Sequence, residues 1–128
     1  MTAAASAHWP LEIRLRKAEK TLEVAFEDGR RFSYPAELLR VESPSAEIQG
    51  HGPGQKTTIG GKRSVGIARI EPVGHYAVRI AFDDGHDSGL FTWDWLYGLG
   101  ARQAEIWAAY EAALAAKGLT RDPPLRRR

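Results

Sequence analysis

The stretch Ala81–Gly100, AFDDGHDSGLFTWDWLYGLG, decides how the chain is read. Asp84-Gly85 is a hairpin signal, because glycine reaches positive φ at little steric cost. His86 follows this turn, and a short strand ends at Phe91. Trp93-Asp94-Trp95-Leu96-Tyr97 then opens a helix, with Thr92 placed to accept from a free backbone N–H of its first turn. Two of the four Trp and one of the four Tyr lie here, so the stretch is expected to supply core.

Working outward, period-2 patterns mark strands on the N-terminal side. Leu11, Ile13 and Leu15 alternate with Glu12, Arg14 and Arg16, and Leu22, Val24 and Phe26 alternate with Glu23, Ala25 and Glu27. Asp28-Gly29 turns the chain into a third strand through Phe32 and Tyr34. Pro35 suits the first position of a short helix over Ala36–Arg40, which Ser43-Pro44 stops. Residues 43–64 are polar and glycine-rich, with only Ile48 and Ile59 as large aliphatics, and read as a long connection. Val65, Ile67 and Ile70 resume a strand, Pro72-Val73-Gly74 turns it, and Tyr76, Val78, Ile80 and Phe82 form the next. Ala25-Phe26-Glu27-Asp28-Gly29 is echoed by Ala81-Phe82-Asp83-Asp84-Gly85, for which a reused Asp-Gly hairpin is the plainer account.

On the C-terminal side the first helix is expected to end near Gly98 or Gly100. A second runs over 101–117 with Gln103, Ile106, Trp107, Tyr110, Ala113 and Leu114 on one face. Gly118 fits the residue that ends it. The layout predicts an α+β domain: antiparallel β-sheet of hairpins, a few short helices, and a longer C-terminal helix packed on it. Its expected limits are a loose lead over 1–9, the domain over 10–118, and a disordered basic tail over 119–128.

Composition narrows the function classes. The chain has 128 residues and no cysteine, which removes disulfides, thiolate metal ligands and a Cys nucleophile. It suits a cytoplasmic location, and no apolar run approaches the ~18 residues of a membrane span. The net charge of +2 is concentrated at the end, where Arg121, Arg126, Arg127 and Arg128 face only Asp122. Nucleic-acid binding is therefore expected only as a weak property of that tail.

Few constellations carry chemistry. His51-Gly52-Pro53-Gly54-Gln55-Lys56-Thr57 imitates a phosphate loop, but Gln55 separates Gly54 from Lys56 and no helix follows. His51, Gln55 and Lys56 could still contact an anion or a peptide. His8, His51, His75 and His86 show no metal-pair spacing, and no serine-nucleophile motif is present. Trp93, Trp95 and Trp107 are assigned to core packing rather than to base stacking, since Asp94 and Glu105 are their neighbours.

Leu39-Arg40-Val41-Glu42-Ser43-Pro44-Ser45-Ala46-Glu47 and Gly50-His51-Gly52-Pro53-Gly54-Gln55 occur with Asp84-Gly85-His86-Asp87-Ser88-Gly89 and Trp93-Asp94-Trp95-Leu96. Together they resemble the gamma-butyrobetaine hydroxylase-like N-terminal domain family over about residues 9–118, and small bacterial stand-alone members of that family have no assigned function. In the carnitine-pathway hydroxylases the resemblance implies a zinc-binding domain ahead of an iron- and 2-oxoglutarate-dependent catalytic domain. The zinc ligands carry over by position to Ser43, Ser45, Ile48 and His86, of which only His86 is a ligand type. No zinc or other cofactor is therefore expected, nor the catalytic domain, and the 43–86 region should be held by hydrogen bonds and packing instead.

Similar domains occur fused to iron–sulfur carrier ATPases, which by analogy implies a role in assisting cofactor or iron–sulfur proteins. The leading expectation is a non-catalytic accessory domain with a protein partner. Its surface would combine Arg40, Glu47, His51, Gly52, Gly54, Gln55 and Lys56 with the rim at His86 and Trp93. The alternatives are a small-ligand binder or enzyme using His51 and His86, and a weak nucleic-acid binder through the arginine tail.

Overall fold

The computed structural model describes residues 8–52 and 54–124. Strands β1 (Pro10–Arg16), β2 (Thr21–Phe26) and β3 (Arg31–Pro35) form one antiparallel sheet in that order. Strands β4 (Ile67–Val73), β5 (Ala77–Phe82) and β6 (Leu90–Thr92) form a second. Helix α1 (Ala36–Val41) follows the first sheet and α3 (Trp93–Ala101) the second. A one-turn helix α2 (Ala46–Gln49) and the longer α4 (Gln103–Ala116) complete the α+β architecture.

Both hairpins form because the Asp-Gly turns do what their chemistry allows. Gly29 and Gly85 adopt φ of 91° and 94°, and each preceding aspartate accepts from the amide two residues on, Arg30 or His86. Alternation then puts Leu22, Val24 and Phe26 of β2 and Val78, Ile80 and Phe82 of β5 into one buried cluster with Leu38, Phe91 and Leu96. Each such side chain contributes about 1.5–3 kcal/mol on burial. The Tyr34 hydroxyl donates to the Leu96 carbonyl at 2.6 Å, bridging β3 to α3 inside the core, and its burial pushes the phenol pKa up.

The structure corrects several boundaries. Pro35 ends β3 and stands before α1, because its extended backbone (ψ 143°) cannot continue into the helix. β4 runs through Pro72, which pairs with Val78, and the turn comes at Gly74; Pro72 is tolerated because β4 is an edge strand. Helix α3 passes through Gly98 and Gly100 to Ala101, with Thr92 accepting from the Trp95 amide. The 43–64 connection contains α2, whose Ile48 is buried.

Gly118 has φ 67° and ends α4 as its position demands. The chain then does not leave the body, although a disordered end is expected from 119. Thr120 and Arg121 carbonyls accept from the Gly61 and Arg63 amides at 2.8 and 2.9 Å. Arg121 grips buried Glu37 through two hydrogen bonds, at 2.8 and 2.7 Å, with its guanidinium 5.1 Å from the Trp107 ring centre. The arginine was legible as charge alone, and its buried partner was not. Residues 125–128 and the lead over 1–7 lie outside the described residues. His8 and Trp9, the last of that lead, are held: His8 stacks on Tyr97, and the Trp9 carbonyl accepts from the Glu27 amide.

Candidate functional site

The Asp84-Gly85 turn fixes His86 from both sides. Its amide donates to Asp84 Oδ1 at 3.1 Å and its carbonyl accepts from the Phe82 amide at 2.9 Å. The ring therefore projects into the segment that leaves α1. There Ser43-Pro44-Ser45 turns the chain, the Ser45 amide donating to Ser43 Oγ, and buried Ile48 anchors the next turn.

His86 Nε2 lies 3.0 Å from Ser43 Oγ and 3.4 Å from Ser45 Oγ, and the two hydroxyls are 3.3 Å apart. Nδ1 lies 2.7 Å from Glu47 Oε1. With the ring proton on Nδ1, that nitrogen donates to Glu47 and Nε2 accepts a hydroxyl proton. Glu47 is exposed, whereas His86 and both serines are buried. A Cβ on Gly89 would sit 2.4 Å from Ser43 Oγ, so residue 89 has no room for a side chain.

Beneath the ring, Asp84 Oδ2 accepts from Arg40 Nε at 2.7 Å and Lys62 Nζ at 2.6 Å. Burial works against the Asp84 charge, but Lys62, the His86 amide and Arg40 outweigh it and hold its carboxyl at about 2. Arg40 Nη1 is buried with no hydrogen-bond partner among the described residues, a state that costs about 1–3 kcal/mol.

The four positions that the resemblance assigns to zinc thus place two neutral hydroxyls and an imidazole together, with an isoleucine as the fourth. The hydroxyls are bonded to the ring and to each other, and Ile48 offers no donor atom. This donor set does not fit zinc, which takes thiolate, imidazole or carboxylate ligands. No group of three or more His, Cys, Asp or Glu able to hold a metal occurs among the described residues.

The other expected contacts are dispersed. His51 is exposed, and its amide donates to Gln55 Oε1 at 3.0 Å; no hydrogen bond, ion pair or ring contact joins it to His86 among the described residues. Gly50, at φ 73°, closes this tight loop against Gln55, leaving Gly52 part-buried and Gly54 exposed. Lys56 donates to buried Glu42 at 2.6 Å. Arg40 and Trp93 are buried, so neither offers the exposed contact expected of it. The Trp93 indole, 7% exposed, donates to the His75 carbonyl.

Trp95, assigned to the core by sequence, is instead 36% exposed. It borders a cavity of about 410 Å³ with Gln49, Lys56, Leu99 and Ile106. Sequence reasoning missed Lys62 and Glu42, whose partners arrive from distant segments and leave no local pattern.

The fold and this cluster define a small α+β domain whose two hairpin–helix units close around a buried Ser-Ser-His group. The chain belongs to the gamma-butyrobetaine hydroxylase-like N-terminal domain family, whose model, described as "Gamma-butyrobetaine hydroxylase-like, N-terminal", matches residues 13–97. A protein whose structure was solved in solution by NMR is 49% identical, with a TM-score of 0.81 over 94% of this chain and 95% of that one. A second NMR structure is 40% identical, with a TM-score of 0.80 over 99% and 95%. A crystal structure of a protein of unknown function from Acidithiobacillus ferrooxidans ATCC 23270, belonging to the DUF971 family, is 41% identical, with a TM-score of 0.60 over 72% and 92%. No curated protein matches. No helix among the described residues is long and apolar enough to cross a membrane.

Proposed function

We propose that this chain is a non-catalytic accessory domain that acts by binding a protein partner through the 50–56 loop and the surface beside it. The observation that carries the reading is the burial of Ser43. Glu47, His86 and Ser43 follow the order acid, imidazole, hydroxyl, which in a hydrolase activates a nucleophile. Here Ser43 is 0% exposed and Gly89 is packed against its oxygen, which supports a structural role for the hydroxyl over a nucleophilic one. The cluster serves instead as a clasp: it ties the segment after α1 to the second hairpin and sets the base from which His51, Gly54 and Gln55 project. Family membership supports an accessory role, and assistance to cofactor or iron–sulfur proteins is the finer form of the proposal.

The test is affinity purification from the native cell with the wild type and with a His51→Ala/Gln55→Ala variant. The variant should keep its melting temperature and lose the co-purifying partner. Retention of that partner, or turnover of a small molecule that Ser43→Ala abolishes, would overturn the reading.

A further inference from the structure

β1 lies at the edge of the first sheet, and no other strand among the described residues pairs with its outer side. Leu11 has no partner in β2, because a bulge falls between Pro10 and Glu12, and at 70% exposure it is the most exposed large apolar residue described. Glu12 and Arg14 share the exposed face, Arg14 donating to Glu12 at 3.1 Å, while Ile13 turns toward the core.

An exposed edge invites another strand, and charges, prolines and bulges normally deter it. In β1 these devices are arranged so that one strand escapes them: a second copy of β1. We infer that the chain forms a two-fold dimer by antiparallel β1–β1 pairing centred on Ile13. In that register Glu12 faces Arg14 of the other copy, twice, and the bulged Leu11 of each copy lies at an end of the seam. Pro10, which lacks an amide, stays outside.

The second sheet supplies an independent argument. Its edge strand β4 carries Arg69-Ile70-Glu71 where β1 carries Glu12-Ile13-Arg14, with Arg69 donating to Glu71 at 3.0 Å. The order of charges is inverted. Matched antiparallel pairing of β1 on β4 of another copy would set Glu12 against Glu71 and Arg14 against Arg69. That head-to-tail contact would grow without closing, and like charges oppose it, whereas the closed β1–β1 contact is matched. β4 would be matched against itself as well, but Pro72 falls inside the stretch it would have to pair.

Sedimentation of the full chain over a concentration series tests this. The wild type should show a monomer–dimer equilibrium. Arg14→Glu should weaken it about tenfold or more, since two attractive pairs become repulsive. The exchange Glu12→Arg/Arg14→Glu should restore it to within about threefold of wild type. Glu71→Arg on β4 should leave it unchanged. Arg14 is exposed, and unchanged circular dichroism of each variant separates association from folding. A wild type that stays monomeric up to about 1 mM overturns the inference. So does a dimer indifferent to Arg14→Glu, one that the exchange does not restore, or one that responds to Glu71→Arg instead.

Discussion

The first half of the molecule, β1-β2-β3-α1, and the second, β4-β5-β6-α3, are built alike down to single hydrogen bonds. Both first strands bulge at their start, opposite Phe26 and Phe82 respectively. The Phe26 and Phe82 amides donate to the carbonyls of Arg30 and His86 across the two turns. The halves also hold each other reciprocally: Tyr97 of α3 donates to Asp28 at 2.5 Å, and Arg40 of α1 donates to Asp84 at 2.7 Å. This agreement goes beyond a shared Asp-Gly turn, which is all that the sequence echo demanded. They differ at the corners where the two halves meet. In the first, Phe32 lies against Gly100, whose Cβ would sit 2.4 Å from the ring; in the second, the small residue is Gly89, and Ser43 lies against it. One corner is closed by an aromatic ring and the other by a buried polar cluster. Ring packing is the cheaper way to fill such a corner, since buried hydroxyls and imidazole contribute only once every hydrogen bond is made. The difference teaches that the second corner ties the segment after α1 to the second turn by hydrogen bonds, where the first corner relies on apolar contact.

The largest effect is expected from the first-turn acids of α1 and α3, Glu37 and Asp94. Glu37 is buried and doubly bonded to Arg121, whereas Asp94 meets His8 at 2.9 Å on an exposed surface. Arg121→Ala should cost roughly 2–4 kcal/mol in urea unfolding, because it strands a buried carboxylate. His8→Phe, which keeps a ring over Tyr97 and removes the partner of Asp94, should cost under about 1 kcal/mol. Equal losses would mean that the two acids are partnered alike, and the asymmetry claimed for the halves would fall.

A thermodynamic cycle sharpens the corner comparison. Gly89→Ala should destabilise by about 1–3 kcal/mol through overpacking on Ser43 Oγ, and part of that loss should disappear in a Ser43→Ala background. Additive losses would show that the close approach is relieved some other way.

Acid titration distinguishes the two turns next. The Asp84 carboxyl is held at about 2, below its unfolded value near 4, so its contribution is complete above about pH 4 and is lost as pH falls toward 2. Asp28 is also lowered, chiefly by the Tyr97 hydroxyl, but it is exposed. Asp84→Asn should therefore flatten the stability–pH curve between about pH 4 and 2 more than Asp28→Asn does. The reverse order would remove the second turn's special status.

What was legible in the sequence follows from the range of the forces involved. The Asp-Gly turns, the Thr92 cap, the Gly118 stop and the face of α4 are local, set by φ, by one side-chain bond or by period, and each was readable. The four residue positions of the Ser43–His86 cluster were reached through family resemblance. Their mutual hydrogen bonds were not, because 43 residues of chain separate Ser43 from its imidazole. Trp95 was misassigned because α3 carries apolar residues on more than one face, and only packing against the rest of the molecule decides which are covered. The docking of 119–122 was hidden for the opposite reason: Arg121 looks like tail charge until buried Glu37 supplies its partner.

The smallest effect on stability is expected where the halves have no counterpart at all. After α3 the chain passes Arg102 directly into α4, whereas after α1 it makes the excursion from Ser43 to Gly66. The excursion is anchored at both ends: Ile48 and the Ser43–His86 cluster hold its start, and Lys62 on Asp84 with the 120–121 carbonyls holds its close. Between these anchors His51 and Gly54 are exposed, and the His51 amide bonds within its own loop, to Gln55. His51→Ala should therefore shift unfolding by no more than about 0.5 kcal/mol. Ser45→Ala, one step inside the anchor, should cost about 0.5–1.5 kcal/mol through the hydroxyl bonds it removes. If His51→Ala destabilised the fold as much as Ser45→Ala, the loop tip would be part of the clasp rather than what the clasp presents.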